Sequence, residues 1–209
     1  MPIEAVIFDI GRVLIDWQPE RMFDRHLGPD RRKALFSSVD FWTMNDAVDL
    51  GADFDQAVAD LASRHPDFAA DIRLWHTHWL DMASPEIPGS VHLLRALKAR
   101  GVPVFALTNF GVTTFQIARA AYPFLDLFDR HYVSGQLRMM KPDPAIYQLV
   151  ERDCAIAPDR LLFTDDRADN IAAAVRRGWQ THLFEGPQGW SDRLVAETLL
   201  RKEEALGHG

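Results

Sequence analysis

One cysteine, Cys154, stands alone in 209 residues, so no intramolecular disulfide can brace this fold. That usage suits a reducing compartment, and Cys154, set in an ordinary helical stretch, is expected to be a buried, unreactive thiol. Positive charge is also short. Lys and Arg number 23 against 30 Asp and Glu, for a net charge of −7, which leaves no broad basic surface for a nucleic-acid backbone or an anionic membrane. No apolar run reaches the length needed to span a bilayer. No basic stretch followed by an apolar core and small residues precedes the first strand-like run, so a cytoplasmic place is expected. What remains is a small-molecule partner, bound by a monomer or homodimer. A chain of 209 residues, 47% of them hydrophobic, can bury one sizeable core and a small accessory lobe, but not two full domains.

What is present begins with short apolar runs at Ala5 to Ile10, Val102 to Leu107, Leu161 to Thr164 and Thr181 to Phe184, with a further candidate at Arg130 to Ser134. None alternates strictly, as expected of strands buried on both faces of a parallel sheet. Helical patterns separate them: Val91, Leu94 and Leu97 run toward a stop at Gly101, and Ile146, Leu149 and Val150 follow Pro144 with Asp143 as the cap. The expected class is therefore α/β, a doubly wound parallel sheet whose ligands lie beyond the carboxyl ends of the strands.

From Trp17 to about Pro85 the pattern is helical throughout, and a capping-box signature, Asp53 with Gln56, precedes Val58 and Leu61. This divides the chain into a core of residues 1–16 and 86–209 and an inserted helical lid of residues 17–85. The lid is rich in aromatic and histidine side chains (Phe41, Trp42, Trp75, His76, His78, Trp79), which at helical spacing are expected to be core. The polar tail after Arg201 is expected to fray.

Four features fall at or near the carboxyl ends of expected strands: Asp9, Thr108-Asn109, Lys141 and Asp165-Asp166. Taken singly, each has a structural explanation as a turn, a cap or a solvated charge. Together they converge on one crevice, where three carboxylates facing one lysine repel each other unless a divalent cation joins them. Oxygen-only ligands from few protein groups suit Mg²⁺.

In sequence order these are Phe8-Asp9-Ile10-Gly11-Arg12-Val13-Leu14, Leu107-Thr108-Asn109, Lys141-Pro142, and Phe163-Thr164-Asp165-Asp166 with Asn170. The set resembles the four ordered motifs of the haloacid dehalogenase superfamily, and Pro88-Gly89 ahead of the second is similar too. The resemblance implies a Rossmann-like core and a phosphoric monoester hydrolase acting on a small phosphorylated metabolite. Asp9 would be the nucleophile that forms an aspartyl-phosphate. The Thr108 hydroxyl, the Asn109 backbone N–H and Lys141 would bind the phosphoryl group, with Lys141 also offsetting the charge of Asp9. Asp9, the Gly11 backbone carbonyl, Asp165 and Asp166 would hold Mg²⁺, and Asn170 would orient the acids.

One position departs from the family. Its phosphatases usually place a second Asp two residues after the nucleophile as proton donor, and here Gly11 stands there. The backbone carbonyl is retained, so metal binding is spared and the acid is lost. This points toward activated leaving groups such as sugar 1-phosphates. The Asp-x-Gly-x-Val form with Asp16 following is similar to a bacterial subgroup that includes a glucose 1-phosphate phosphatase, which makes Asp16 a candidate substitute acid or, equally, a hinge residue. His76 and His78 are further candidates for proton transfer. Two rival readings keep the same nucleophile or none: a 2-haloacid dehalogenase, whose halide leaves without a proton or metal, and a degenerate domain that binds a phosphorylated metabolite without turnover.

Overall fold

A computed structural model describes residues 2–206. The core sheet is built from β1 (Ala5–Phe8), β2 (Val104–Thr108), β3 (Arg130–Val133), β4 (Leu161–Asp165) and β5 (Gln180–Leu183), all parallel, in the order β3-β2-β1-β4-β5. Seven α-helices lie between β1 and β2, and the first six form a run of their own: α1 (Pro19–Leu27), α2 (Pro29–Ser38), α3 (Phe41–Asp49), α4 (Phe54–Arg64), α5 (Ala69–Thr77) and α6 (Trp79–Met82). The core helices are α7 (Pro88–Ala99), α8 (Val112–Ala121), α9 (Ser134–Leu137), α10 (Pro144–Cys154), α11 (Ala168–Arg176), α12 (Pro187–Ala196) and α13 (Lys202–Leu206). Among the described residues no helix is long and apolar enough to cross a membrane.

The lack of alternation in β1 has a direct cause. Val6 and Phe8 enter one hydrophobic cluster while Ala5 and Ile7 enter a second on the opposite face, so every side chain of the strand is buried. The chain starts in the middle of the sheet, adds β2 and β3 on one side, then crosses to β4 and β5 on the other. Strand order thus reverses beside β1, and the crevice this opens lies at its carboxyl end.

Local signals set the element boundaries. Asp143 caps α10 by accepting from the Ala145 N–H at 2.8 Å, and Gly101, in the left-handed region, follows α7. Asp53 accepts from the Gln56 N–H at 2.8 Å, but the Gln56 side chain donates to Asp60 instead of reaching back, so half of the expected capping box forms.

The chain leaves the core and returns to it at paired crossings: Ile15 bridges Glu86, the Asp16 N–H donates to the Pro85 carbonyl at 2.8 Å, and the Ile87 N–H to that of Leu14 at 2.7 Å. Phe23, Phe41 and Trp75 fill the interior of the helical segment, with Phe41 stacked on Trp75 at 4.9 Å. Two expectations are corrected. The chain past Arg201 does not fray at once, because α13 buries Ala205 and sets Glu204 against Arg100 and His92; residues 207–209 lie outside the described part. Cys154 is half-buried rather than buried, and desolvation raises its thiol pKa.

Candidate active site

Asp9 is the first residue past β1, and its N–H donates to the Thr164 carbonyl at 2.9 Å, fastening it to the end of β4. Its Oδ1 accepts from the Ile10 N–H at 2.7 Å and faces Lys141 Nζ at 3.0 Å. Oδ2 accepts no hydrogen bond among the described residues. Lys141 Nζ also donates to Asp165 Oδ2 at 2.6 Å, so one fully buried ammonium is shared by two carboxylates. Burial pushes the Asp9 carboxyl up to about 7; Lys141 opposes the rise, and the neighbouring Asp165 and Asp166 charges add to it. For Lys141, burial pulls the pKa down, but attraction to Asp165 and Asp9 outweighs it, so the ammonium keeps its proton.

Asn109 fixes the lysine. Its Nδ2 donates to the Lys141 carbonyl and its Oδ1 accepts from the Lys141 N–H, both at 2.9 Å, which ties the loop after β2 to the loop before α10. Thr108, the last residue of β2, is buried beside them.

The tandem acids part company. Asp165 ends β4 wholly buried: Oδ1 accepts from the Arg167 N–H and Asn170 Nδ2, and Oδ2 from Lys141 and the same amide. Asp166 is partly open, with Arg12 Nη1 at 3.8 Å. Oxygens of Asp9, Asp165 and Asp166 all lie within 4.8 Å of one another. Three carboxylates around one lysine fit a hard divalent cation by charge and by donor type. Buried Asn170 Oδ1 has no hydrogen-bond partner and offers an acceptor for a water on such an ion.

These groups open into a cavity of about 440 Å³. Asp9, Gly11, Asp16, Thr108, Asn109, Lys141, Asp166 and Asn170 line it, while Asp165 lies beneath. Asp16 is ion-paired to Arg21 at 3.3 Å at the crossing between core and helical segment. His76 and His78 do not line the cavity; they pair with Asp55 and Asp81, each at 2.7 Å. The aromatic expectation holds for Phe41, Trp75 and Trp79, which are core, Trp79 also reaching the cavity wall with Trp17 and Phe110; Trp42, on the same wall, is 50% exposed. A helix of the insert has two working faces, and periodicity alone does not tell the core face from the one over the crevice. Asp49, the last residue of α3, also lines the cavity, a place that an acid at a helix end does not announce in the sequence.

A doubly wound sheet with a buried lysine–carboxylate cluster beyond β1, β2 and β4 defines a site at the strands' carboxyl ends suited to a cation and an anionic ligand. Residues 3–178 match the model of the haloacid dehalogenase-like hydrolases, and the chain belongs to that family. It is 27% identical over 84% of its length, and 86% of the relative's, to the sesquiterpene phosphatase astK of Aspergillus oryzae. It is 23% identical over 92% of its length, and 97% of the relative's, to a D-ribitol-5-phosphate phosphatase of Bacteroides thetaiotaomicron. Against one longer relative the chain spans only 34% of that protein's length. The fold is shared with a family enzyme of Bacteroides thetaiotaomicron solved with magnesium and inorganic phosphate, at a TM-score of 0.68 and 22% identity, covering 91% of this chain and 98% of that one.

Proposed function

We propose that this chain is a Mg²⁺-dependent phosphatase that hydrolyses a small phosphate monoester through a phosphorylated Asp9. The observation that carries the reading is the meeting of Asp9, Asp165 and Asp166 with Lys141, four side chains brought from three separate places in the sequence. Support comes also from relatives named as phosphatases and from a neighbour holding magnesium and phosphate.

Asp9 Oδ2, free of internal hydrogen bonds, attacks phosphorus in line, and the bond to the leaving oxygen breaks; water then attacks phosphorus and regenerates Asp9. Lys141 offsets the charge of Asp9 and of the phosphoryl oxygens, aided by the Thr108 hydroxyl and the Asn109 N–H. Asp9, Asp166 and the Gly11 carbonyl would hold the ion, with Asp165, its oxygens already engaged by the Arg167 N–H, Asn170 and Lys141, beneath them and kept oriented by Asn170. When bound, Mg²⁺ neutralises the repulsion between nucleophile and phosphate and polarises the phosphoryl group. The helical segment, residues 17–85, serves as a lid that excludes water.

The test is a panel of polyol phosphates, sugar 1-phosphates and alkyl phosphates with and without Mg²⁺. Phosphate release abolished by chelation is the expected result. Phosphate release that survives exhaustive chelation overturns the metal dependence, and halide release from a 2-haloacid with no phosphate release overturns the proposal in favour of a dehalogenase.

A further inference from the structure

The proposed chemistry leaves one requirement unmet: with Gly11 where the family places its acid, the leaving oxygen has no proton donor from that position. Three other carboxyls line the cavity, Asp16, Asp46 and Asp49. Asp16 is ion-paired with Arg21 and Asp46 is exposed. Asp49 differs from both. It is 9% exposed and has no cationic partner among the described residues; its Oδ2 accepts from Asn45 Nδ2 at 2.9 Å, and its carboxylate is also met by the Gly111 N–H.

Its place is built into the backbone. A Cβ on Gly111 would meet Val48 Cγ1 at 2.5 Å, and one on Gly51 would meet the Gly135 carbonyl at 2.7 Å. Glycine at 111 lets the last turn of α3 press onto the loop that follows Thr108 and Asn109, and glycine at 51 lets the chain leaving α3 lie against the start of α9. A carboxyl from the helical insert is thereby carried into the wall of the cavity that Asp9 also lines.

We propose that Asp49 is the general acid that protonates the leaving-group oxygen, replacing the acid absent at Gly11. This rests on the phosphatase reading above. Burial is the main influence on the Asp49 carboxyl and pushes it up to about 7, the charges of Asp46 and Asp9 adding to the rise while the Gly111 and Asn45 hydrogen bonds oppose it. The other charged groups on the cavity are Arg12, Asp16, Lys141, Asp166 and Arg167. In the first step the Asp9–phosphorus bond forms, the leaving oxygen takes the Asp49 proton, and an alcohol departs. In the second, water attacks phosphorus and returns a proton to Asp49, leaving phosphate and the Asp9 carboxylate.

The consequence concerns substrate class. With an acid in place, the leaving group need not be activated, so the inference from Gly11 toward sugar 1-phosphates loses its premise. The walls formed by Trp17, Trp42, Trp79 and Phe110 suit a phosphate ester of an ordinary alcohol with an apolar body.

The experiment follows the first turnover with Mg²⁺ by quenched flow, comparing p-nitrophenyl phosphate with hexyl phosphate. In the wild type, the alkyl rate is expected to fall as pH rises through about 7 relative to the aryl rate. Asp49→Asn should slow the alkyl ester by about 10²- to 10⁴-fold and the aryl ester, which departs with little protonation, by a much smaller factor. Adding Gly11→Asp to that variant should recover alkyl turnover, since nothing lies within 4 Å of a Cβ at Gly11. Equal losses on both esters, no loss on either, or a double variant no better than Asp49→Asn would overturn the assignment. Failure of the phosphatase reading is distinct: the wild type would then release phosphate from neither ester.

Discussion

The Asn109 amide holds both main-chain groups of Lys141, donating to its carbonyl and accepting from its N–H at 2.9 Å each. The lysine paired with Asp9 is therefore positioned by the loop that directly follows Thr108. Asn109→Ala is expected to lower kcat about 10²-fold through misplacement of the ammonium, with a much smaller change in KM. Steady-state kinetics check this, and a rise in KM at unchanged kcat would show that Asn109 serves binding alone.

The carboxylate cluster predicts a stability readout for the metal. Mg²⁺ at about 100 times its dissociation constant should stabilise the wild type by roughly 2.7 kcal/mol, seen as a rise in Tm. Asp166→Asn should remove most of that rise while leaving the metal-free fold intact, because Asp166 lies at the open edge of the cluster. An undiminished Mg²⁺ effect in this variant would remove Asp166 from the ligand set.

Two tryptophans of the helical segment should behave oppositely. Trp75 is fully buried and stacked on Phe41, so Trp75→Ala should cost about 3–5 kcal/mol of stability. Trp42 is half-exposed in the cavity wall, so Trp42→Ala should leave the Tm nearly unchanged and raise KM for an alkyl phosphate about tenfold, as expected for about 1–2 kcal/mol of lost apolar contact. Thermal melts and a KM series over alkyl chain length separate the two.

Asp49 also predicts how stability depends on pH. Its folded pKa, about 7, lies above the ordinary 3.8, so between those values the folded state binds the proton that the unfolded chain releases, and stability falls as pH rises. Asp49→Asn should therefore be more stable than the wild type above pH 7, by on the order of a few kcal/mol, with the gap closing toward pH 4. Denaturation without Mg²⁺ at both pH values measures it. A gap that is constant with pH would mean that Asp49 is ionised throughout.

The core was legible because its signals are local. The apolar runs of β1 and β4, and the acids that end or follow them, come within a few residues of one another along the chain, and parallel-sheet topology then fixes where they meet. Gly11 reads as a missing acid only through the resemblance to the family's first motif. Asp49 was not legible, since a carboxyl at a helix end is solvated in most settings. Its burial depends on Gly111 approaching Val48 across more than sixty residues of sequence. The role of the Asn109 side chain was hidden in a similar way, because its partner is the backbone of Lys141 rather than a residue type. Trp42 shares the spacing of the core aromatics and differs in the side of its helix that faces the crevice.

Covalent participation of Asp9 is the claim on which the rest depends, and it is open to direct trapping. The Mg²⁺-loaded enzyme is mixed with a phosphate monoester that it turns over, acid-quenched within one turnover and peptide-mapped by mass spectrometry. The account predicts a phosphoryl group on the peptide carrying Asp9, absent from Asp9→Asn. An Asp9→Asn variant that keeps near-normal turnover, or a phosphoryl group found on another residue, would contradict it.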